Sequence, residues 1–235
     1  MSKIRYGAVA FFAALAVTSG VRAADLGGAP YRAPVEEYGR PFSWTGLYVG
    51  ANIGHGWSNA DWSFNGSSLT GNTGSGSLFG VQVGYNWQMG RTVFGVEGDV
   101  ASSWMDGTSS CPNAAFDCGH QVNWMASLRG RLGFTLNDNR TLLYGTAGAA
   151  WADSKWSTTN VATGSAFGSD FSTSQVGWVA GAGIEHMLTR NLSAKVEYLY
   201  YGFDPVTAPA GTLDTSATKL DMSSHVVRFG LNLKF

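Results

Sequence analysis

The last eight residues alternate strictly between apolar and polar side chains, and this pattern constrains the fold more than any other feature. Apolar residues occupy positions 229, 231, 233 and 235, and polar or small residues occupy positions 228, 230, 232 and 234. A period of two indicates a β-strand with one apolar and one polar face. An aromatic edge strand is a hazard in a soluble sheet, whereas a strand of a closed membrane barrel has a partner on both sides.

The same alternation recurs along the chain and predicts eight strands. In the fourth strand it places Val122 and Trp124 on the apolar face and Asn123 on the polar face, and in the fifth strand it leaves the facing open. Each strand is long enough to cross a bilayer, for which ~9–11 tilted residues suffice. The predicted strands are residues 43–57, 77–88, 92–104, 121–134, 141–152, 175–187, 192–203 and 223–235.

The connections between these strands alternate in length. Residues 58–76, 105–120, 153–174 and 204–222 are long and polar, and residues 89–91, 135–140 and 188–191 are short. Aromatic residues such as Trp57 and Trp104 lie near the long loops, and others such as Trp87 and Phe134 near the short turns, as expected of two interfacial belts. Together these features predict an all-β fold, an eight-stranded antiparallel up-and-down transmembrane β-barrel, with both termini on the short-turn side.

The amino-terminal region predicts export. Lys3 and Arg5 precede an apolar run over residues 6–17, and small residues at 21 and 23 suit cleavage after Ala23. We therefore predict a signal peptide (residues 1–23), a flexible arm (24–42) and a barrel (43–235). A short membrane anchor is the alternative, although the run is shorter than the ~20 residues of a spanning helix. Export followed by a barrel predicts the outer membrane of a Gram-negative cell.

Composition agrees with a membrane barrel. Charged residues make up 13% of the chain, against ~25% in soluble domains. The formal net charge is −1, so nothing indicates nucleic acid as a partner. The two cysteines, Cys111 and Cys118, are predicted to form a small disulfide loop, because an exported chain meets an oxidising compartment.

The inward faces of the predicted strands carry charges of both signs in near balance. Isolated charges are very costly in a narrow lumen, so we expect an ion-pair network, such as Glu97 and Asp99 with Arg129. We also expect Glu197 to pair with Lys195 or Arg228. Such a network blocks the lumen, and the alternative is a gated narrow pore lined by the same charges. The predicted network comprises Glu97, Asp99, Arg129, Arg131, Glu185, Lys195, Glu197 and Arg228.

No catalytic constellation is evident in the sequence. The four histidines, His55, His120, His186 and His225, lie on different segments, and no loop serine stands out as a nucleophile. We therefore predict that the protein is not an enzyme, and we predict no cofactor and no metal site.

The chain resembles the small outer-membrane β-barrel proteins of alphaproteobacteria, which are called outer-membrane immunogenic or porin-family proteins. Their barrel is similar to the transmembrane domain of OmpA. The resemblance rests on AADL at residues 23–26, WTGLYVG at 44–50, GVQVGYNW at 80–87, GVEGD at 95–99, RGRLG at 129–133 and the last strand. That strand also resembles the insertion signal of bacterial outer-membrane barrels, carried here by Arg228, Gly230, Leu233 and Phe235.

The resemblance implies an abundant surface antigen that helps to hold the envelope together. The expected partners are outer-membrane lipid, lipopolysaccharide and the barrel assembly machinery. The leading hypothesis is a structural outer-membrane barrel, and the first alternative is a small diffusion channel. The second alternative is an adhesin or receptor that binds host or extracellular ligands through its loops. It is motivated by aromatic residues in polar loops, namely Trp62, Phe64, Trp156, Phe167 and Phe171.

Overall fold

The structure, a computed structural model, describes residues 42–64, 67–111, 113–136 and 139–235. This part of the chain is built almost entirely of strands, and none of it forms a helix long and apolar enough to cross a bilayer. The strands are β1 (Gly46–Phe64), β2 (Ser67–Met89), β3 (Thr92–Ser110), β4 (Phe116–Leu136), β5 (Thr141–Asn160), β6 (Phe171–Met187), β7 (Leu192–Phe203), β8 (Val206–Ala208) and β9 (Thr218–Lys234).

Eight of these strands form a closed antiparallel ring. Neighbours in sequence pair from β1 to β7, β7 pairs with β9, and β9 returns to β1. The closing seam is long, running from Tyr48 opposite Lys234 to Phe64 opposite Thr218. The three-residue strand β8 adds to the outer end of β9. The predicted eight-stranded up-and-down barrel is therefore confirmed.

The outward face is apolar over the height of a bilayer. On β1 the outward positions from Leu47 to Trp57 carry exposed side chains, while Tyr48 and Asn52 between them are buried in the lumen. The ten steps from Leu47 to Trp57, at ~3.3 Å each, span about 33 Å along the strand, and a tilt of ~40° reduces this length to an apolar band of ~25 Å. Between the two aromatic belts, the described residues place no Asp, Glu, Lys or Arg on the outward face.

Most strands extend further outward than the sequence predicts. Wherever residues 58–76 are described, they form strand rather than a long loop. The same correction applies to much of residues 105–120, 153–174 and 204–222. Beyond Trp57 the pattern is inverted, because Asn59 and Asp61 face out while Ala60 and Trp62 face in. The hairpins therefore extend the barrel above the bilayer, with a hydrated, polar outer face and a mainly apolar interior.

A β-bulge in β4 reverses the predicted orientation of two neighbouring side chains. Val122 is fully buried in the lumen, and Asn123 points outward, where its amide donates to Asp153 Oδ1 at 2.6 Å. The prediction placed these two side chains the other way round. The pairing of β4 with β5 shifts register between Val122 and Trp124, so the extra residue inverts the alternation beyond that point.

The short connections lie at the opposite end of the barrel. Gly90 adopts a φ of 61° in the turn between β2 and β3, a left-handed conformation that glycine takes without steric cost. Asn139 adopts a φ of 65° before β5 begins. The predicted signal peptide, and the predicted arm apart from Phe42, lie outside the described residues.

Candidate functional site: the barrel interior

All eight predicted interior charges point into the lumen at one level of the barrel. They come from five strands, because alternate residues of each strand face inward. Each is at most 9% exposed. The four carboxylates are Glu97, Asp99, Glu185 and Glu197, and the four cations are Arg129, Arg131, Lys195 and Arg228. Their formal charges cancel, which is what a narrow lumen shielded from water requires.

Glu97 is the centre of this network. Its carboxylate contacts four cations and also accepts a hydrogen bond of 2.8 Å from the Tyr48 hydroxyl. The cations are Arg129, Lys195 Nζ at 2.8 Å, Arg131 Nη1 at 3.5 Å and Arg228 Nη2 at 3.7 Å. Because its two oxygens have five partners on several strands, the Glu97 carboxylate is held in place from several sides of the lumen.

The other three carboxylates contact the same cations. Arg228 donates through Nε to Glu197 at 2.7 Å and lies 3.1 Å from Asp99 through Nη1. Arg129 Nη1 lies 3.2 Å from Glu197 Oε1. Lys195 has its second carboxylate, Glu197, only at 4.0 Å. Lys195 therefore depends on Glu97 more than the arginines do.

A separate branch of the network ties β4 to β6. Arg131 donates to Glu185 at 2.6 Å, and its guanidinium lies 4.0 Å from the centre of the Tyr144 ring. Inward glycines make room for these large side chains. A Cβ at Gly84 would collide with the Tyr48 hydroxyl, and a Cβ at Gly183 would collide with the Tyr144 hydroxyl.

The outer half of the lumen is filled mainly by apolar side chains, which the sequence analysis did not predict. Trp62 and Trp156 are fully buried and meet edge to face across the lumen, with ring centroids 5.4 Å apart. Around them packs an apolar cluster that includes Met105, Val122, Met125, Leu199, Leu213, Leu220 and Met222. The inverted alternation at Ala60 and Trp62 was the signal that could have revealed this layer.

The loop aromatics therefore take different positions from those that the ligand-binding alternative assumed. Trp62 and Trp156 lie inside the barrel, and Phe171 packs against the same cluster. Phe167 lies edge-on to Phe116 at 5.6 Å. The side chain of Phe64 lies outside the described residues.

A third layer closes the short-turn end. Trp44 is buried beneath the ionic network, with its indole N–H donating to the Asn139 carbonyl at 2.8 Å. It packs in a cluster with Val93, Leu142, Tyr144 and Met187, and Phe42 lies against them. The pocket beside Trp44 offers about 10 Å³, the room of a single water molecule.

His120 occupies the outer lumen, above the aromatic belt. Its Nε2 lies 2.7 Å from Ser58 Oγ, and its ring packs against Trp156 at 5.7 Å. Burial lowers the pKa of His120 from 6.5 to about 4, although the charge of Asp106 opposes the shift. Ser58 is fully buried, and Nδ1 of His120 has no hydrogen-bond partner among the residues that the structure describes. In the described part of the chain, the pair therefore lacks the hydrogen-bonded acid that orients the histidine of a Ser–His–Asp triad.

The remaining predicted residues lie apart from the ionic network. Cys111 and Cys118 are joined by a disulfide near the tip of the β3–β4 hairpin. Gly230 faces inward beside Lys195, whereas Leu233 and Phe235 point outward at the short-turn end. The Phe235 backbone N–H donates to the Leu47 carbonyl at 2.9 Å, so the terminal residue extends the seam with β1.

Comparisons with known proteins agree with this architecture. The family model described as outer membrane protein beta-barrel domain matches residues 11–235. A 31 kDa outer-membrane immunogenic protein of Brucella melitensis is 34% identical over 220 residues, 88% of each chain. A 22 kDa outer membrane protein of Rhizobium leguminosarum is 33% identical over 208 residues, 86% of this chain and 82% of the relative.

Among solved structures, the outer membrane protein OprG from Pseudomonas aeruginosa has a similar fold. The TM-score is 0.53 at 17% sequence identity, and the match covers 81% of this chain and 96% of OprG. At this level of identity the likeness concerns the barrel fold alone.

Proposed function

The chain belongs to the outer membrane protein β-barrel family and lies in the outer membrane, and from this membership we propose that it is a structural, non-enzymatic barrel. In this proposal it supports the integrity of the envelope and exposes its outer hairpins as a surface antigen. The observation that carries the proposal is a lumen filled along its length. An apolar layer lies at each end, and a charge-balanced ionic layer lies between them.

The filled lumen favours this role over that of a diffusion channel. A solute would have to displace Trp44 at one end, the ion pairs of Glu97 in the middle, and the Trp62–Trp156 contact at the other. Breaking buried ion pairs without replacement costs several kcal/mol. An aqueous pore would instead leave the inward charges partly hydrated.

The outer hairpins support the role of surface antigen. Their outward side chains are polar and strongly acidic, which keeps this part of the barrel hydrated and accessible to macromolecules. The acidic residues at this end are Asp61, Asp106, Asp117, Asp153, Asp170, Asp204, Asp214 and Asp221, and the basic ones are Lys155 and Lys219. The Brucella relatives are named as immunogenic proteins, which agrees with exposure of the same region.

A deletion strain of the source bacterium tests the proposal. Loss of the protein should raise sensitivity to detergent and to large antibiotics, and the wild-type gene should restore resistance. Uptake rates of small solutes should stay unchanged, because the barrel does not conduct them. A strain with normal detergent resistance and slowed uptake of small solutes would contradict the structural role and favour the channel.

A further inference from the structure

One sector of the outward wall differs chemically from the rest. Histidine and tyrosine side chains face outward there, among the rings of the outer aromatic belt. We call this set the imidazole–aromatic patch. It spans four neighbouring strands, β6, β7, β9 and β1, and consists of Trp178, Tyr198, Tyr200, His225, His55 and Trp57. On the neighbouring strands β3, β4 and β5, the belt consists of Trp104, Trp124 and Trp151.

Ring contacts and one cross-strand pair link the members of the patch around the barrel. Trp178 lies 5.3 Å from Tyr200, and Tyr200 lies 4.9 Å edge-on from His225. His225 is the cross-strand partner of Trp57, whose ring is 5.0 Å from that of His55. The members of the patch therefore lie side by side and form one continuous surface.

A hydrogen bond within the patch fixes one of its polar groups. Tyr198 Oη lies 2.6 Å from Nδ1 of His225. If the hydroxyl donates, His225 carries its proton on Nε2, and that N–H becomes a donor directed away from Tyr198. A tyrosine hydroxyl and two imidazoles facing hydrocarbon would be expensive, so their position calls for a polar partner at the headgroup level.

The depth of the patch agrees with such a partner. One alternation further toward the hairpins, the outward positions become polar, with Asn59 on β1 and Ser223 on β9. His225 and Trp57 therefore lie at the boundary between hydrocarbon and headgroups. The long hairpins lie at this end, which faces the cell exterior in barrels of this architecture.

The charge of the patch selects the chemistry of the partner. None of its members carries a carboxylate, so the patch itself does not repel an anion. Flat aromatic rings suit the C–H faces of sugars, and imidazole, hydroxyl and indole groups can donate to phosphate oxygens. The outward carboxylates Asp61 and Asp221 lie four residues beyond Trp57 and His225, respectively.

We propose that the imidazole–aromatic patch binds the phosphorylated sugar headgroup of a glycolipid in the outer leaflet. The site rests on the membrane location of the barrel and not on the closed lumen. A conducting barrel could carry the same patch, so failure of this inference and failure of the structural role are separate outcomes.

Retention of defined lipids tests this site. The purified barrel is reconstituted in phosphatidylcholine vesicles that contain lipid A, dephosphorylated lipid A or phosphatidylglycerol, and it is then extracted in mild detergent. Native mass spectrometry counts the lipids that stay bound. We expect the wild-type barrel to retain lipid A about five- to tenfold better than either of the other two lipids, as expected for a few hydrogen bonds at a partly wet site.

Three variants locate the binding. His55→Gln with His225→Gln should abolish the preference for lipid A, and Tyr198→Phe should weaken it. His186→Gln is the matched control, because His186 also faces outward but lies at the short-turn end beside Thr141. Heat-modifiable migration in gels shows that each variant is folded. Should the double variant fail to fold, Tyr198→Phe alone decides.

Several results would overturn the proposal. One is unchanged retention of lipid A in the folded double variant. If the double variant does not fold, unchanged retention in Tyr198→Phe would overturn the proposal instead. Equal loss in His186→Gln would remove the link to this patch. Equal retention of phosphatidylglycerol would show that the surface recognises phosphate without sugar.

Discussion

Neutralising Glu97 should destabilise the barrel far more than its small change in volume suggests. The substitution Glu97→Gln keeps the size of the side chain but leaves four cations against three carboxylates in the lumen. The arginines keep other partners, since Arg131 retains Glu185 at 2.6 Å and Arg228 retains Glu197 at 2.7 Å. Among the described residues, Lys195 then retains a single carboxylate partner, Glu197, at 4.0 Å. An uncompensated buried charge of this kind costs about 3–5 kcal/mol.

A second substitution should recover most of that loss. Lys195→Met removes the stranded ammonium, keeps an unbranched apolar side chain, and restores three cations against three carboxylates. We expect the unfolding free energy of the double variant to lie within about 1–2 kcal/mol of the wild-type value, because replacing a buried ion pair by neutral side chains of similar size changes stability little. The assay is equilibrium urea unfolding in lipid vesicles, followed by tryptophan fluorescence. The interaction energy comes from the complete double-mutant cycle.

The cycle can refute the account of the ionic layer. If Glu97→Gln lowers the unfolding free energy by less than about 0.5 kcal/mol, the lumen is hydrated and the charges are screened there. If Glu97→Gln is costly but Lys195→Met fails to rescue it, the loss comes from the Tyr48 hydrogen bond or from packing. Lys195→Met alone should cost less than Glu97→Gln, since Glu97 would keep its three arginine contacts.

Other parts of the barrel give further predictions. Since the pKa of His120 is about 4 in the fold and ~6.5 when unfolded, the unfolded state binds more protons between these values. Stability should therefore fall by roughly 3 kcal/mol as the pH drops from 7 to 4, relative to a His120→Gln variant measured in parallel. Trp62→Ala should lower the unfolding free energy by about 3–5 kcal/mol in the same urea assay. Replacing Cys111 and Cys118 by serine should lower it by about 2 kcal/mol, as expected for a short loop. Phe235→Ala should reduce the amount of protein in the outer membrane of cells, measured by immunoblotting of fractions. Its urea midpoint after refolding in vitro should move less than that of Trp62→Ala, because the Phe235 side chain faces the bilayer and is 68% exposed, whereas Trp62 is packed in the lumen.

The membrane-spanning part of the fold could be predicted because lipid and lumen impose opposite preferences on alternate residues. On β2, Val81 and Val83 face out while Gln82 faces in, and the sequence records this contrast directly. The fifth strand was ambiguous for the same reason. Its outward positions include Gly145 and Ala147, which differ little in polarity from the inward Thr146 and Gly148.

The outer hairpins could not be predicted by the same rule, because their surroundings change. Above the bilayer, water replaces lipid outside, and the lumen becomes apolar around Trp62 and Trp156. Polar residues such as Asp61 then occupy the outward positions, which apolar residues occupy within the bilayer. In the sequence, this exchange of polar and apolar positions looks like a polar loop. The bulge at Val122 hid a second inversion, since a single extra residue in a strand leaves no mark in composition.

The residues of the ionic layer could be predicted from the sequence, but the central position of Glu97 among them could not. Inward parity identified the eight charged residues, because a narrow lumen admits charges only in balanced sets. The central place of Glu97 depends on side-chain reach across the ring, as in the 2.8 Å contact from Lys195 on β7. The sequence separation of such pairs holds no information about that distance.

Conductance of the purified protein in a planar lipid bilayer tests the central claim, a lumen closed by three packed layers. The account predicts a quiet membrane at moderate voltage, even when gel migration shows many folded barrels in the bilayer. Reproducible channel openings by the wild-type protein that are absent from a variant without Arg129 and Arg131 would contradict the account. Such openings would show that ions pass through the ionic layer itself.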